Sequence, residues 1–230
     1  MQYLGGKKRI AKQIVEFITP YLENKDYYLE PFVGSCAIIE NIKNIKRYGS
    51  DYNEYLIELY RALQNGWIPP EILSEDEYLY VKNNKDENKP LTAFVGIGCS
   101  YAGKWFAGYC RNKMMRNYAK SCHDVLLQQL PKIKDIEFSY ADYKTYNPNN
   151  AMIYCDPPYV NTTKYGLFKG FDHVEFWDIM RKWSEHNTVF ISEYIAPDDF
   201  KCVLEIETKT SLRDKNGKVI LRIEKLFSKN

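Results

Sequence analysis

Ala151-Met152-Ile153-Tyr154-Cys155-Asp156-Pro157-Pro158-Tyr159 is the stretch on which the fold turns: an apolar run of strand length delivers an acid, two prolines and an aromatic ring to one loop. Proline has no backbone N–H, so Pro157 cannot continue a sheet ladder, and each proline biases the residue before it toward extended geometry. A strand over Ala151–Cys155 therefore ends in a stiff turn. Asp156 offers carboxylate oxygens, the Pro157 carbonyl a second acceptor and Tyr159 a π-face, a set suited to holding an exocyclic –NH2 while its ring is stacked. The plainer reading is a turn after a buried strand, since prolines and aspartates dominate turns everywhere.

Outward from this loop the texture alternates between strand and helix. Ile136–Ala141 reads as a strand with Asp142 at its end, Val174–Trp183 as a helix and Thr188–Ser192 as a strand. Cys202–Thr210 and Lys218–Phe227 form a terminal pair joined near Asn216-Gly217. Near the N-terminus, Lys7–Leu22 sets Ile10, Ile14, Phe17 and Ile18 on one helical face. Tyr28-Leu29 is a short strand, and Pro31-Phe32-Val33-Gly34-Ser35 turns into a helix through about Asn44. A strand around Arg47–Ser50 ends at Asp51. The helix Glu54–Gln64 follows, with Leu56, Leu59, Tyr60 and Leu63 inward and Gly66 closing it.

Such alternation implies an α/β fold: an open, mostly parallel sheet covered on both faces, with the final hairpin contributing one antiparallel strand at or near an edge. Ligands of such sheets bind beyond the carboxyl ends of the strands, which gathers Glu30 to Ser35, Asp51, Asp142 and Asp156 around one crevice. Trp67-Ile68-Pro69-Pro70 interrupts the pattern and opens a mainly helical insertion. Ser74 and Glu77 are spaced as a capping box there, and Met115, Ala119, Cys122, Leu126 and Leu130 mark one helical face. The division is thus residues 1–66 with 132–230 as one domain and 67–131 as an insertion.

The chain has 230 residues, 45% of them hydrophobic, enough for a full core. Its six cysteines include no C-x-x-C pair and its three histidines are not paired at ligand spacing, so reduced structural thiols are expected and no metal site. The start of the chain is polar and basic, and no apolar run nears the roughly 20 residues needed to cross a bilayer, so a soluble, cytoplasmic protein with no membrane partner is expected. Net charge is only +2, so its distribution matters more than its sum. From Asn88 to His123 the basic residues Lys89, Lys104, Arg111, Lys113, Arg116 and Lys120 occur without an acid, interleaved with aromatics that include Trp105. This is a candidate surface for phosphates, the alternative being a helical insertion with solvated lysines and its own aromatic core.

Taken together these residues resemble the DNA adenine-N6 methyltransferases of the Dam-like, D12 class, and in the Gly96–Phe106 run their phage-type members. Tyr3-Leu4-Gly5-Gly6-Lys7 is similar to the family's N-terminal cofactor motif and Glu30-Pro31-Phe32-Val33-Gly34-Ser35-Cys36 to its glycine-containing loop. Asp51 matches the acid after the second strand, and Asp156-Pro157-Pro158-Tyr159 the catalytic motif. The order, with both cofactor motifs first, recognition segment in the middle and catalytic loop after, is the family's own. Cys36 departs from it, standing where the family usually carries a second glycine.

The resemblance implies a Rossmann-like methyltransferase sheet and S-adenosylmethionine as donor, with S-adenosylhomocysteine as product. Tyr3, Lys7, Glu30, Pro31, Phe32, Gly34, Ser35, Asp51, Asp142 and Asp156 would line the cofactor site. Asp51 suits a ribose diol, or else caps the following helix with Asn53; Lys7 would approach the methionine carboxylate; Phe32 is equally a core residue. Asp156 through Tyr159 would receive the N6 amine of an adenine flipped out of double-stranded DNA. Lys89, Lys104, Trp105, Arg111, Lys113, Arg116 and Lys120 would contact that DNA, and a Lys164–Asp172 loop would close over the base. Cytosine N4, RNA adenine, and a catalytically silent DNA-binding protein are the alternatives. Whether the chain accompanies a cognate restriction nuclease, protects a phage genome or acts alone is not decided by these residues.

Overall fold

The computed structural model describes residues 1–111, 116–160, 170–213 and 219–229, with only the backbone described for 209–213 and 219–220. The chain builds α1 (Ala11–Ile18), β1 (Tyr27–Glu30), β2 (Lys46–Asp51), α2 (Glu54–Gln64), α3 (Glu75–Asn83), α4 (Lys89–Ala93) and α5 (Tyr118–Ile133). It continues through β3 (Glu137–Tyr140), β4 (Ala151–Cys155), α6 (His173–Trp183), β5 (Thr188–Glu193), β6 (Lys201–Arg213) and β7 (Val219–Ser228). One seven-stranded sheet runs in the order β3-β2-β1-β4-β5-β7-β6. The strands from β3 to β5 are parallel, and β7 inserts antiparallel between β5 and the edge strand β6. This is the mostly parallel α/β sheet with an antiparallel C-terminal hairpin strand expected from the sequence.

Strand β4 lies at the sheet's centre with all five residues buried, and the two-residue period of the pleat sorts its side chains between two cores. Met152 and Tyr154 face one layer, with Tyr28, Phe190 and residues of α1, α2 and α5. Ala151, Ile153 and Cys155 face the other, with Leu29, Val189, Ile191 and the α6 residues Phe176, Met180 and Trp183. Both faces being covered explains why β4 reads as an unbroken apolar run.

Several local expectations hold to the residue. Helix α2 spans Glu54–Gln64 with Asn53 capping it through Leu56 N, and Gly66 follows its end at φ 88°. Ser74 and Glu77 make the reciprocal capping box at the start of α3. Others do not hold. The first helix is α-helical only over Ala11–Ile18 and tightens to a 3-10 turn over Thr19–Leu22. The helix expected through Asn44 is absent, leaving a 3-10 turn at Ile39–Asn41. Cys36 and Asn44 have φ of 60° and 63°, the Ile39 carbonyl accepts from the Arg47 guanidinium as well as from Ile42 N of the 3-10 turn, and Val33, Cys36, Ile38, Ile39 and Ile42 are all buried. A segment buried on every side needs no helical period to hide its apolar residues. Pro131 lies inside α5, which runs on to Ile133. Met115 and the Asn216-Gly217 turn lie outside the described residues.

The insertion touches the start of the chain. Leu4 N donates to the Gly103 carbonyl at 3.3 Å, and a Cβ on Gly103 (φ +66°) would stand 2.9 Å from the Gln2 and Tyr3 backbone. Only glycine lets the two segments approach this closely. Gly103 thereby fixes the N-terminal segment that forms one wall of the cleft below.

Candidate active site

A cleft of about 800 Å³ opens over the carboxyl ends of the parallel strands. Its walls include Tyr3 and Lys7 from the N-terminal segment, Glu30 to Ser35 after β1, Asp51 after β2, Asp142 after β3 and Asp156 to Tyr159 after β4. All the cofactor and catalytic residues expected from the sequence, spread from Tyr3 to Tyr159, meet in this one cavity. The sheet order accounts for it: β1 and β4 are neighbours at the point where connections leave in opposite directions, the crevice where such sheets bind ligands.

Asp51 ties one half of the cleft together. Its Oδ2 accepts from Gly34 N at 3.0 Å and its Oδ1 from Asn53 N at 2.9 Å, so one carboxylate links the loop after β1 to the start of α2. Helix capping itself falls to Asn53. Three backbone donors on about four lone-pair sites leave the carboxylate capacity for a further donor. Burial pushes the Asp51 carboxyl up to about 6, against the backbone N–H groups of Asn53, Gly34 and Tyr52 that hold it down. Gly34 takes φ +44° with the Tyr3 ring 3.3 Å from where its Cβ would be. Cys36, where the family usually has glycine, holds φ 60° as a fully buried thiol, so the loop keeps the left-handed turn without glycine at a local cost of about 1–2 kcal/mol.

The Asp156 half carries an arrangement that the sequence did not reveal. Lys7 Nζ lies 2.9 Å from Asp156 Oδ1 and 3.4 Å from a Glu224 carboxylate oxygen on β7, and 4.5 Å from the centre of the Tyr159 ring. Lys7 thus points at Asp156 and not at a separate subsite. Tyr159 donates to Glu224 Oε2 at 3.0 Å and meets Tyr194 edge-on at 4.8 Å, while Tyr194 reaches Glu224 Oε1 at 3.4 Å. Burial pushes the Asp156 carboxyl up and Lys7 pulls it back, leaving it above the usual carboxylate range. Burial lowers the Lys7 ammonium, but Asp156 and Glu224 outweigh it and hold the group above its ordinary value. Glu193, at the end of β5, accepts from Val160 N at 3.1 Å and is pushed by burial up to about 7. Glu224 left little trace in the sequence, because nothing local to a terminal hairpin indicates which loop it will face.

The remaining candidates divide. Glu30 is buried and accepts from the Tyr28 hydroxyl at 2.8 Å, with burial raising its carboxyl well above the usual range. Phe32 packs on Tyr143, Phe171 and Phe176 with ring centres 5.0–6.0 Å apart, so it serves the core while lining the cleft. Asp142 lines the cleft and accepts from Lys144 N at 3.0 Å. In the insertion, the uniformly positive stretch is matched by acids from elsewhere in the chain. Lys89 pairs with Glu54, Arg111 with Glu75, and Lys120 with Glu71 and Asp124. Trp105 packs against Tyr55 and Phe106 at 5.3 and 4.9 Å, and Arg116 lies 5.2 Å from the Tyr118 ring centre. Lys104 is half-buried. Lys113 and most of the Lys164–Asp172 loop lie outside the described residues. Among the described residues, no group of three or more His, Cys, Asp or Glu is assembled for a metal ion, and no helix is long and apolar enough to cross a membrane.

Residues 3–94 match the family model for D12 class N6 adenine-specific DNA methyltransferases. A DNA adenine methylase of Haemophilus influenzae is 27% identical over 76% of this chain and 68% of its own length, and one of Vibrio cholerae is 24% identical over 69% and 64%. The type II methyltransferase M.FokI of Planomicrobium okeanokoites is 23% identical over 71% of this chain, which spans only 29% of that relative's length. The two N-terminal motifs lie inside the matched region, and the Asp-Pro-Pro-Tyr loop, beyond it in sequence, lines the same cleft, so over this N-terminal part the chain is similar to the D12 class of N6 adenine-specific DNA methyltransferases.

Proposed function

We propose that this chain transfers a methyl group from S-adenosylmethionine to the N6 amine of adenine in double-stranded DNA, the adenine being flipped out of the duplex into the cleft. The observation that carries the reading is the meeting of Asp51 and Asp156, from the ends of β2 and β4, in one cavity. The cofactor half fits the group. Asp51 has acceptor capacity left for a ribose hydroxyl, and Gly34, at φ +44°, lets its backbone lie against the Tyr3 ring with no side chain between them. Bound there, S-adenosylmethionine supplies an already electrophilic methyl on its sulfonium.

The chain's own task is to present the amine. The Asp156 carboxylate and the Pro157 carbonyl accept the two amino protons and draw the nitrogen out of the plane of its ring, so that its lone pair is available. Such acceptors bind the pyramidal nitrogen of the transition state better than the planar amine of the ground state. Tyr159, braced by Glu224 and Tyr194, contributes an aromatic wall for the base. An adenine inside a duplex cannot reach such a loop, hence the flip. Residues 67–131 act as the target-recognition insertion on the domain formed by 1–66 and 132–230. Because Lys89, Arg111 and Lys120 already have carboxylate partners, phosphate contacts by those residues require exchanging an ion pair.

Asp, not Ser, at position 156 favours adenine over cytosine as the acceptor. The test is mass spectrometry of nucleosides after incubating the protein and S-adenosylmethionine with duplex DNA or RNA. N6-methyladenine in DNA alone is expected. N4-methylcytosine, methylated RNA, or cofactor binding with no product would overturn the assignment.

A further inference from the structure

The contacts among Asp156, Lys7, Glu224 and Tyr159 leave Asp156 engaged by a cation before any substrate arrives. Lys7 is 2.9 Å from Asp156 Oδ1, and a carboxylate lone pair spent on an ammonium is not available to an amino proton. The Lys7 and Glu224 side chains are 10% and 16% exposed, so an ammonium leaving Asp156 needs another anion at hand or pays a large desolvation cost. Glu224 is that anion, already 3.4 Å from Lys7. Its Oε2 also accepts from the Tyr159 hydroxyl, and its Oε1 is 3.4 Å from that of Tyr194.

We propose that Glu224 is a positioning residue of the methyl-transfer centre: it takes the Lys7 ammonium over from Asp156 as the target amine enters, and holds the Tyr159 ring through its hydroxyl. The proposal rests on the functional reading above. No bond is made or broken in this exchange; one ammonium moves between two carboxylates, and Asp156 gains a lone pair for the amine. Tyr159 provides the path, because its ring centre lies 4.5 Å from Lys7 Nζ and its hydroxyl 3.0 Å from Glu224. A purely architectural Glu224, anchoring β7 to the loop, would have no reason to sit within reach of the same cation as Asp156.

The test is Glu224→Gln, which keeps the shape and an acceptor for Tyr159 but loses the charge. With Glu224 neutral, Lys7 stays on Asp156, and kcat is expected to fall by about 10- to 100-fold, the scale of one charge-assisted hydrogen bond. The KM for DNA changes much less. In a Lys7→Met background, where no cation blocks Asp156, Glu224→Gln should cost almost nothing further. A second arm needs no turnover: carbon-13 NMR titration of the Asp156 carboxyl without DNA. The groups influencing that carboxyl are Lys7, Glu224, Tyr159 and Tyr154, with Glu30 and Glu193 at neighbouring strand ends. Removing the Glu224 charge should shift its titration to lower pH. An unmoved Asp156 titration, or an equal kcat loss with and without Lys7, would overturn the proposal. A wild-type protein that methylates no DNA sinks the functional reading instead, and the titration arm still judges the coupling of Glu224 to Asp156.

Discussion

Cofactor affinity should rise with pH and level off where Asp51 ionises. A ribose diol donates two hydroxyl hydrogens, so it binds the charged carboxylate, and burial lifts that carboxyl from 3.8 to about 6. Between pH 7 and pH 5 the ionised fraction, and with it the affinity, falls about tenfold, or ~1.4 kcal/mol. The protein without ligand should follow the opposite slope. A carboxyl raised on folding contributes stability that is fully present below pH 3.8 and lost as pH rises through about 6, ~3 kcal/mol from this group alone. Titration calorimetry with S-adenosylhomocysteine at pH 5, 6 and 7, in buffers of different ionisation enthalpy, reads both the affinity and the proton released. Asp51→Asn should abolish the pH dependence and weaken binding throughout. It also leaves either Gly34 N or Asn53 N facing an amide NH2 instead of an oxygen, costing about 1–3 kcal/mol, which lowers Tm by roughly 2–4 °C per kcal/mol. An affinity that stays constant between pH 5 and pH 7 would refute the placing of the diol on Asp51.

Asp156→Ala should lower the methyl-transfer rate by about 10² to 10³ while leaving S-adenosylhomocysteine affinity within a few fold, as calorimetry can check; parallel loss of both would mean that Asp156 acts mainly on the cofactor. Cys36→Gly removes a left-handed non-glycine residue (φ 60°) but also a fully buried side chain, so the two effects, each about 1 kcal/mol, should nearly cancel in a urea melt. Lys104→Ala should flatten the salt dependence of DNA binding by about one counterion, whereas Lys120→Ala, which removes a residue already bound to Glu71 and Asp124, should change it less.

Much of the architecture was legible because its signals are local. The run 151–155 carried its own length, its own stop at Pro157 and its own depth, and the Asn53 and Ser74 caps announced α2 and α3. The cleft was legible through topology, since strand ends in a parallel sheet converge whatever lies between them. The failures came from contacts between distant parts of the chain. The 31–44 segment holds enough isoleucine to mimic a helix, yet an Arg47 guanidinium and a left-handed Cys36 decide its path. The positive stretch from Asn88 to His123 looked uncompensated because Glu54, Glu71 and Glu75 precede it in sequence. Lys7 had a plausible cofactor partner by motif order, and only the folded sheet brings it to Asp156 and to Glu224 on β7.

The measurement that bears most directly on the central claim is sequencing, with a readout sensitive to N6-methyladenine, of DNA from cells expressing the wild-type chain or its Asp156→Ala variant. Methylation of adenine at one recurrent sequence with the wild type and none with the variant is the predicted result. Unmethylated DNA in both, from cells that contain the folded protein, would contradict the account.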